Sequence, residues 1–244
     1  MIALALGLVL AVDPFEIQVY QAESNPAGRP GIELHVNDVA SGVKNASPPE
    51  LQADRQIHVT LEPSFGVTDW WELGAYVQTA WAGGEYRYAG VKLRSKFIAP
   101  GPELGLRVGL NVELSWLPPE FEAGRYGAEL RPIIQWSNER WLVSANPIVS
   151  LSFSRDGAEH GPAFEPAVTV LRRIAGKCDL GLEYYGGWGP LARFSSFNRA
   201  EHYLYEVVSV TAFKGIELNV GVGEGLSKAS NPVVFKLIAG YSWE

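Results

Sequence analysis

The chain has 244 residues, 47% of them hydrophobic and 19% charged, with a formal net charge of −7. That length suits one large β domain or two small ones, and the acidic balance argues against a nucleic-acid partner. A single cysteine, Cys178, excludes both an internal disulfide and a multi-cysteine metal centre.

Residues 1–11 (MIALALGLVLA) form an apolar run too short to span a bilayer as a helix. The run resembles the hydrophobic region of a secretory signal cleaved after Ala11, truncated in that no Lys or Arg precedes it. A buried N-terminal strand is the alternative. Residues 12–30 come next, and between 15 and 23 they alternate apolar and polar side chains.

From residue 31 onward the chain reads as twelve strands, near 31–41, 53–66, 71–82, 86–98, 103–117, 126–137, 141–154, 163–175, 178–187, 202–213, 216–225 and 233–243. The fifth shows the pattern best. Leu104, Leu106, Val108, Leu110, Val112, Leu114 and Trp116 share one parity, whereas Gly105, Arg107, Gly109, Asn111, Glu113 and Ser115 share the other. A period of two means extended backbone with one face in an apolar medium and one in a polar medium. Mean hydropathy is close to zero because the two faces cancel. Nearly all of them reach the roughly nine to eleven residues that a tilted crossing needs. Tight turns near 67–70, 99–102, 137–140, 175–177 and 214–215 alternate with longer polar connections near 42–52, 117–125, 154–161, 188–201 and 224–232. This predicts an all-β fold, a single antiparallel up-and-down transmembrane barrel over residues 31–244 with both termini on the periplasmic side. Trp70, Trp71, Trp136, Trp141, Tyr241 and Trp243 fall at the short-turn end, and Trp81, Trp116, Tyr126 and Trp188 at the other. Two aromatic belts are expected at headgroup depth. Residues 12–30, which would add an odd thirteenth strand, are expected to be a periplasmic arm or a lumen-tucked strand.

With the apolar parity facing lipid, the other faces a lumen. Lys92, Arg94 and Lys96 then point inward, and reflection through the 99–102 turn would bring Arg107 beside Arg94 as one basic wall, with Glu72 near Lys96. Glu113, Glu129, Glu165, Glu183, Glu206 and Glu217 would form an opposing acidic wall containing Arg131 and Arg173. Such walls orient and select solutes by charge. An interior packed with salt bridges is the competing expectation for a barrel of this size. His35 and His58, read as level on neighbouring strands beside Glu33 or Glu62, are weak metal candidates, and no metal or other cofactor is expected. No G-x-S-x-G elbow or H-E-x-x-H motif occurs, and Gly221-Val-Gly223-Glu-Gly225 lies on a strand with no helix after it.

The segments FEIQVY (15–20), EPSFGVTDWWELGAYVQT (62–79), AGVKLRSKF (89–97), ELRPII (129–134), GLEYY (181–185), EHYLY (201–205) and GYSW (240–243) resemble a family of bacterial outer-membrane proteins. This is the phenol-degradation-pathway (MetA-pathway) transporter-like family. The resemblance implies residence in the outer membrane of a Gram-negative bacterium and uptake of aromatic compounds. Trp243, followed by Glu244, stands where barrel-assembly machinery reads a terminal aromatic residue. The resulting expectation is a porin-like passive or gated channel in outer-membrane lipid for small anionic or aromatic solutes, not an enzyme. The alternatives are a structural or sensing barrel with a blocked lumen, and an outer-membrane lipid hydrolase.

Overall fold

The computed structural model describes residues 12–44, 46, 49–122, 125–154 and 161–243. The secretory run expected over 1–11 lies outside these residues. Among them no helix is long and apolar enough to cross a membrane. The strands are β1 (Pro30–Ser41), β2 (Ile57–Thr68), β3 (Trp71–Ala82), β4 (Glu85–Ile98), β5 (Gly105–Trp116), β6 (Tyr126–Ser137), β7 (Trp141–Asn146), β8 (Val149–Ser152), β9 (Ala163–Phe164), β10 (Ala167–Ala175), β11 (Cys178–Gly187), β12 (Gly189–Pro190), β13 (Glu201–Phe213), β14 (Ile216–Gly225) and β15 (Val233–Ser242).

These segments make twelve crossings, because β7–β8, β9–β10 and β11–β12 are each one crossing with a break. Pro147 and Pro166 stand in two of the breaks, where a residue without N–H cannot serve a central ladder. The three breaks adjoin one another and bridge themselves: Glu165 N–H donates to Ile148 O at 3.0 Å and Trp188 N–H to Phe164 O at 2.9 Å. All pairing is antiparallel. β1 pairs with β15 through His35↔Ile238, and β6 with β7 through Gln135↔Ser144, which closes the sheet on itself. Closure leaves no unpaired edge for hydrocarbon to meet. On the long-loop end one connection is short: Gly83 and Gly84, at φ +62° and +84°, join β3 to β4 in the conformation a two-residue hairpin demands.

Side-chain parity divides the solvents as expected. On the paired strands β4 and β5, Leu93 and Leu114 are 62% and 56% exposed, whereas Arg94 and Glu113 are 5% and 1% exposed. Large apolar side chains stay exposed around the whole circumference, among them Leu61, Val77, Leu106, Ile134, Leu182, Val220 and Phe235. Aromatic side chains cap this band at both ends, including Trp70, Trp136 and Trp141 at one and Trp81, Trp116 and Tyr126 at the other.

Residues 12–25 run inside the sheet, and residues 26–29, all exposed, turn into β1 at its short-turn end. Val12 N–H donates to Glu201 Oε2 at 3.1 Å at the long-loop end, and Arg29 O accepts from Gly66 N–H at 2.9 Å at the short-turn end. Trp243 also sits at the short-turn end, where its N–H reaches Pro30 O at 3.2 Å. The barrel's own two ends, Gly31 and Ser242, pair with one another at the short-turn end, as expected, while the segment before β1 runs back through the lumen and places Val12 at the long-loop end. An arginine placed on the outer band should meet hydrocarbon. Leu93→Arg is expected to destabilise the barrel by about 2–4 kcal/mol in urea-titrated folding into lipid vesicles. A cost near zero would mean that this face is solvated.

Candidate functional site

The inward parity carries a dense ion-pair network instead of two opposed walls. Lys92 (β4) pairs with Asp13, with Glu16 Oε2 at 3.2 Å and with Glu113 Oε2 at 3.4 Å. Arg94 Nε lies 2.6 Å from Glu62 Oε1 and its Nη1 2.7 Å from Glu72 Oε1. Lys96 lies opposite Glu72 in the ladder, with their charges 3.0 Å apart. Gly74 makes the Arg94 contacts possible: it lies between β2 and β4, and a Cβ there would come within 2.7 Å of Arg94 Nε. Arg131 (β6) bridges Glu129 Oε1 at 2.7 Å and Glu16 Oε1 at 3.1 Å. Across the lumen Lys236 (β15) pairs with Glu183 (β11) and donates to Ile17 O at 3.1 Å.

Residues 12–29 thread this network. The wall's polar side chains serve much of the segment's backbone in place of a ladder, so Tyr20, Ala22 and Asn25 place their N–H groups without an adjoining strand. Tyr20 N–H donates to Asn146 Oδ1 at 2.6 Å, and Tyr20 O accepts from Ser144 Oγ at 2.7 Å. Ala22 N–H donates to Gln135 Oε1 at 2.8 Å and Asn25 N–H to Glu72 Oε2 at 2.6 Å. Phe15 O accepts from Thr60 Oγ1 at 2.9 Å. The Tyr20 ring is the hub. Its hydroxyl meets that of Tyr76, and the Arg131 guanidinium lies 4.4 Å from its centroid, with Arg94 and Lys96 within 6 Å. On the other side Ile17 and Val19 pack into an apolar cluster with Tyr185, Tyr203 and Tyr205.

Several expected placements change. Arg107 is not beside Arg94. The β4–β5 register pairs Arg94 with Glu113, and Arg107 stands opposite Gln135 near the short-turn mouth. β4 and β5 first pair at Ile98↔Gly109, so residues 99–108 separate the paired stretches in place of the 99–102 turn read from sequence, and the whole ladder shifts. Acids and bases therefore interleave, and no transverse basic wall exists among the described residues. Arg173 has inward parity but lies at the rim, 52% exposed by side chain and paired with Asp179 at 3.1 Å. Glu206 points outward, between Leu182 and Val222 in the ladder. His35 and His58 are offset by two residues, with Thr60 and Asn37 as their cross-strand partners. His35 Nε2 does meet Glu62 at 3.2 Å and Glu33 at 3.5 Å, a three-group cluster that could hold a metal ion. Arg94 and Gln18 already occupy those carboxylates. His58 instead donates to Gln56 Oε1 at 2.8 Å and packs on the Phe15 ring. The ring of His202 lies between Tyr184, which bonds its Nδ1 at 2.7 Å, and Phe197, a site that sequence reasoning did not find.

Above the segment, at the long-loop end, a cavity of about 450 Å³ opens. Val12–Phe15 floor it, and Lys92, Glu113, Glu129, Glu165 and loop residues such as Glu50 and Glu120 line it.

No family model and no curated relative matches the chain. Solved structures share its fold. The COG4313 outer membrane channel from Pseudomonas putida F1 superposes with a TM-score of 0.68 at 12% identity, covering 93% of this chain and 100% of that one. A KdgM porin gives 0.57 at 10% identity, over 88% of this chain and 99% of its own. The Acinetobacter baumannii outer membrane protein Omp33 gives 0.51 at 8% identity, over 90% and 100%. The fold is thus that of outer-membrane β-barrel channels, and the narrower transporter-like family finds no support in a family match.

Removing one partner from this network should leave buried charges uncompensated. Arg94→Met is expected to cost about 3–5 kcal/mol in urea unfolding, and the double variant Arg94→Met/Glu62→Met to recover part of it. Equal stabilities for the parent and Arg94→Met would show that water already solvates the pair.

Proposed function

We propose that this protein is a gated outer-membrane channel for small polar solutes, closed in the described conformation by residues 12–29. The long loops would face outward and the short turns the periplasm, as in barrels of this kind. One observation carries the reading: from Val12 to Asn25 the segment is bound through wall side chains and not through a sheet ladder, and among the described residues its backbone bonds to the sheet are confined to Gly28 and Arg29 at Gly66. It can leave without breaking a single strand pairing, and the closed sheet would then enclose an aqueous lumen. Motions of such segments act as gates when a modest bias shifts their population.

The solute preference expected from sequence, anionic and drawn by Lys92, Arg94, Lys96 and Arg107, has less support. The first three of these are spent on carboxylates within the wall and the segment. A second reading, a structural or sensing barrel with a permanently blocked lumen, draws on the same ion pairs, since Asp13 and Glu16 tie the segment to Lys92 and Arg131. A lipid hydrolase has less in its favour. His202, the outward histidine near the rim, takes a tyrosine hydroxyl and not a serine as its side-chain partner.

Glu16→Lys discriminates between the first two readings. It sets a cation against Lys92 and Arg131 while leaving every wall residue in place. In planar bilayers the variant is expected to conduct severalfold more than the parent, and residues 12–29 should become sensitive to added protease in the refolded barrel. Heat-modifiable migration on gels checks that the barrel itself has formed. Folded Glu16→Lys with the parent's conductance would support the permanently blocked barrel instead.

A further inference from the structure

The cavity at the long-loop end has a one-sided chemistry. Its described lining includes eight carboxylates and one ammonium, that of Lys92. Lys92 is already committed to Asp13, Glu16 and Glu113. Glu50, Glu120 and Glu165 make no ion pair among the described residues, and burial pushes the Glu50 carboxyl, in a connecting loop, above its ordinary value.

An independent group in the same cavity points the same way. Gln56 Nε2 donates to Gln52 O at 2.8 Å, which fixes the amide so that its Oε1 faces His58 Nε2. An amide oxygen can only accept, so Nε2 carries the ring proton and Nδ1 presents a lone pair. His58 is 2% exposed, lines the cavity, and its Nδ1 has no partner. A buried acceptor left unmet has a cost that a donating ligand would remove. Beside these acceptors the cavity is apolar: Phe15 and Phe121 meet edge to face at 5.5 Å, next to Leu51 and Leu117. Pockets that bind small molecules combine such a hydrophobic lining with a few convergent polar groups.

From this we infer that the cavity is a binding site for an organic cation, an ammonium carried on a small aromatic or alkyl body. The ammonium would face Glu50, Glu120, Glu165 and the bare nitrogen of His58, and the body would rest on Phe15 and Phe121. This rests on the channel reading and names its solute class. Because Val12–Phe15 form the floor, a bound solute would sit directly on the outer end of the closing segment.

Equilibrium binding to the full-length refolded barrel in detergent tests this without requiring conduction. The probes are 2-phenylethylammonium, the neutral 2-phenylethanol and the anion 3-phenylpropionate, titrated calorimetrically at low salt. The cation is expected to bind at least about tenfold more tightly than either analogue, and to weaken as salt rises. Glu50→Gln/Glu120→Gln/Glu165→Gln is expected to lose about tenfold for the cation, with the neutral alcohol unchanged. Equal or tighter binding of the anion, or a triple variant that binds the cation as the parent does, would overturn the inference. So would displacement of 2-phenylethylammonium by micromolar calcium, which would make this an inorganic cation site. Selective binding without conductance in Glu16→Lys would uphold the site and remove the channel. Conductance without selective binding would do the reverse.

Discussion

Inside a closed sheet a charge has few places to find compensation, and that constraint organises this molecule. Among the described residues, the wall gives Lys92 the carboxylate of Glu113 and Arg131 that of Glu129. Asp13 and Glu16, on the threaded segment, complete both sites. The segment in turn has no ladder for its own amides and depends on Asn146, Ser144, Gln135 and Thr60 of the wall. Wall and segment are thus complementary in charge and in hydrogen bonding. Buried polar networks of this kind fix one arrangement when fully satisfied and become costly when a member is lost.

The same constraint explains what could be read from sequence. Where the lumen is polar, the two parities differ in chemistry, and Leu93, Arg94, Glu113 and Leu114 declare their sides directly. Where the segment presents Ile17 and Val19, the wall answers with Tyr203, Tyr205 and Val207 on its inner face. Alternation then fades, because both faces of β13 are apolar. Glu206, expected on the lumen face, faces out between leucine and valine neighbours. Parity is legible only where the two solvents differ.

Register was less legible than parity. Parity depends on each strand by itself, whereas register depends on where a connection begins and ends. Because β5 meets β4 only from Gly109 onward, Arg107 stands at the far mouth instead of beside Arg94, and Glu113 takes its place. Across the two-residue Gly83–Gly84 connection the turn is tight, and there Glu72 and Lys96 stand opposite one another. The proline breaks in β7–β8 and β9–β10 left the strand count intact, because neighbouring breaks share their hydrogen bonds across the gap. The cavity could not be read at all, since its lining gathers residues from the segment, from several crossings and from separate loops.

Charge in the lumen is therefore ordered along the axis and not across it. The middle is neutralised pair by pair, with arginine and lysine each facing carboxylates within hydrogen-bond reach. The long-loop mouth keeps Glu50, Glu120 and Glu165, with which no cation pairs among the described residues. A transverse field would orient a solute sideways throughout its passage. An axial order instead concentrates cations at one mouth by its potential and leaves the middle indifferent to sign. The closing segment lies where those two regimes meet: its Asp13 belongs to the acidic mouth and its Glu16 to the paired interior. Anything that changes the charge of the mouth acts first on the residue that ties the segment to Lys92.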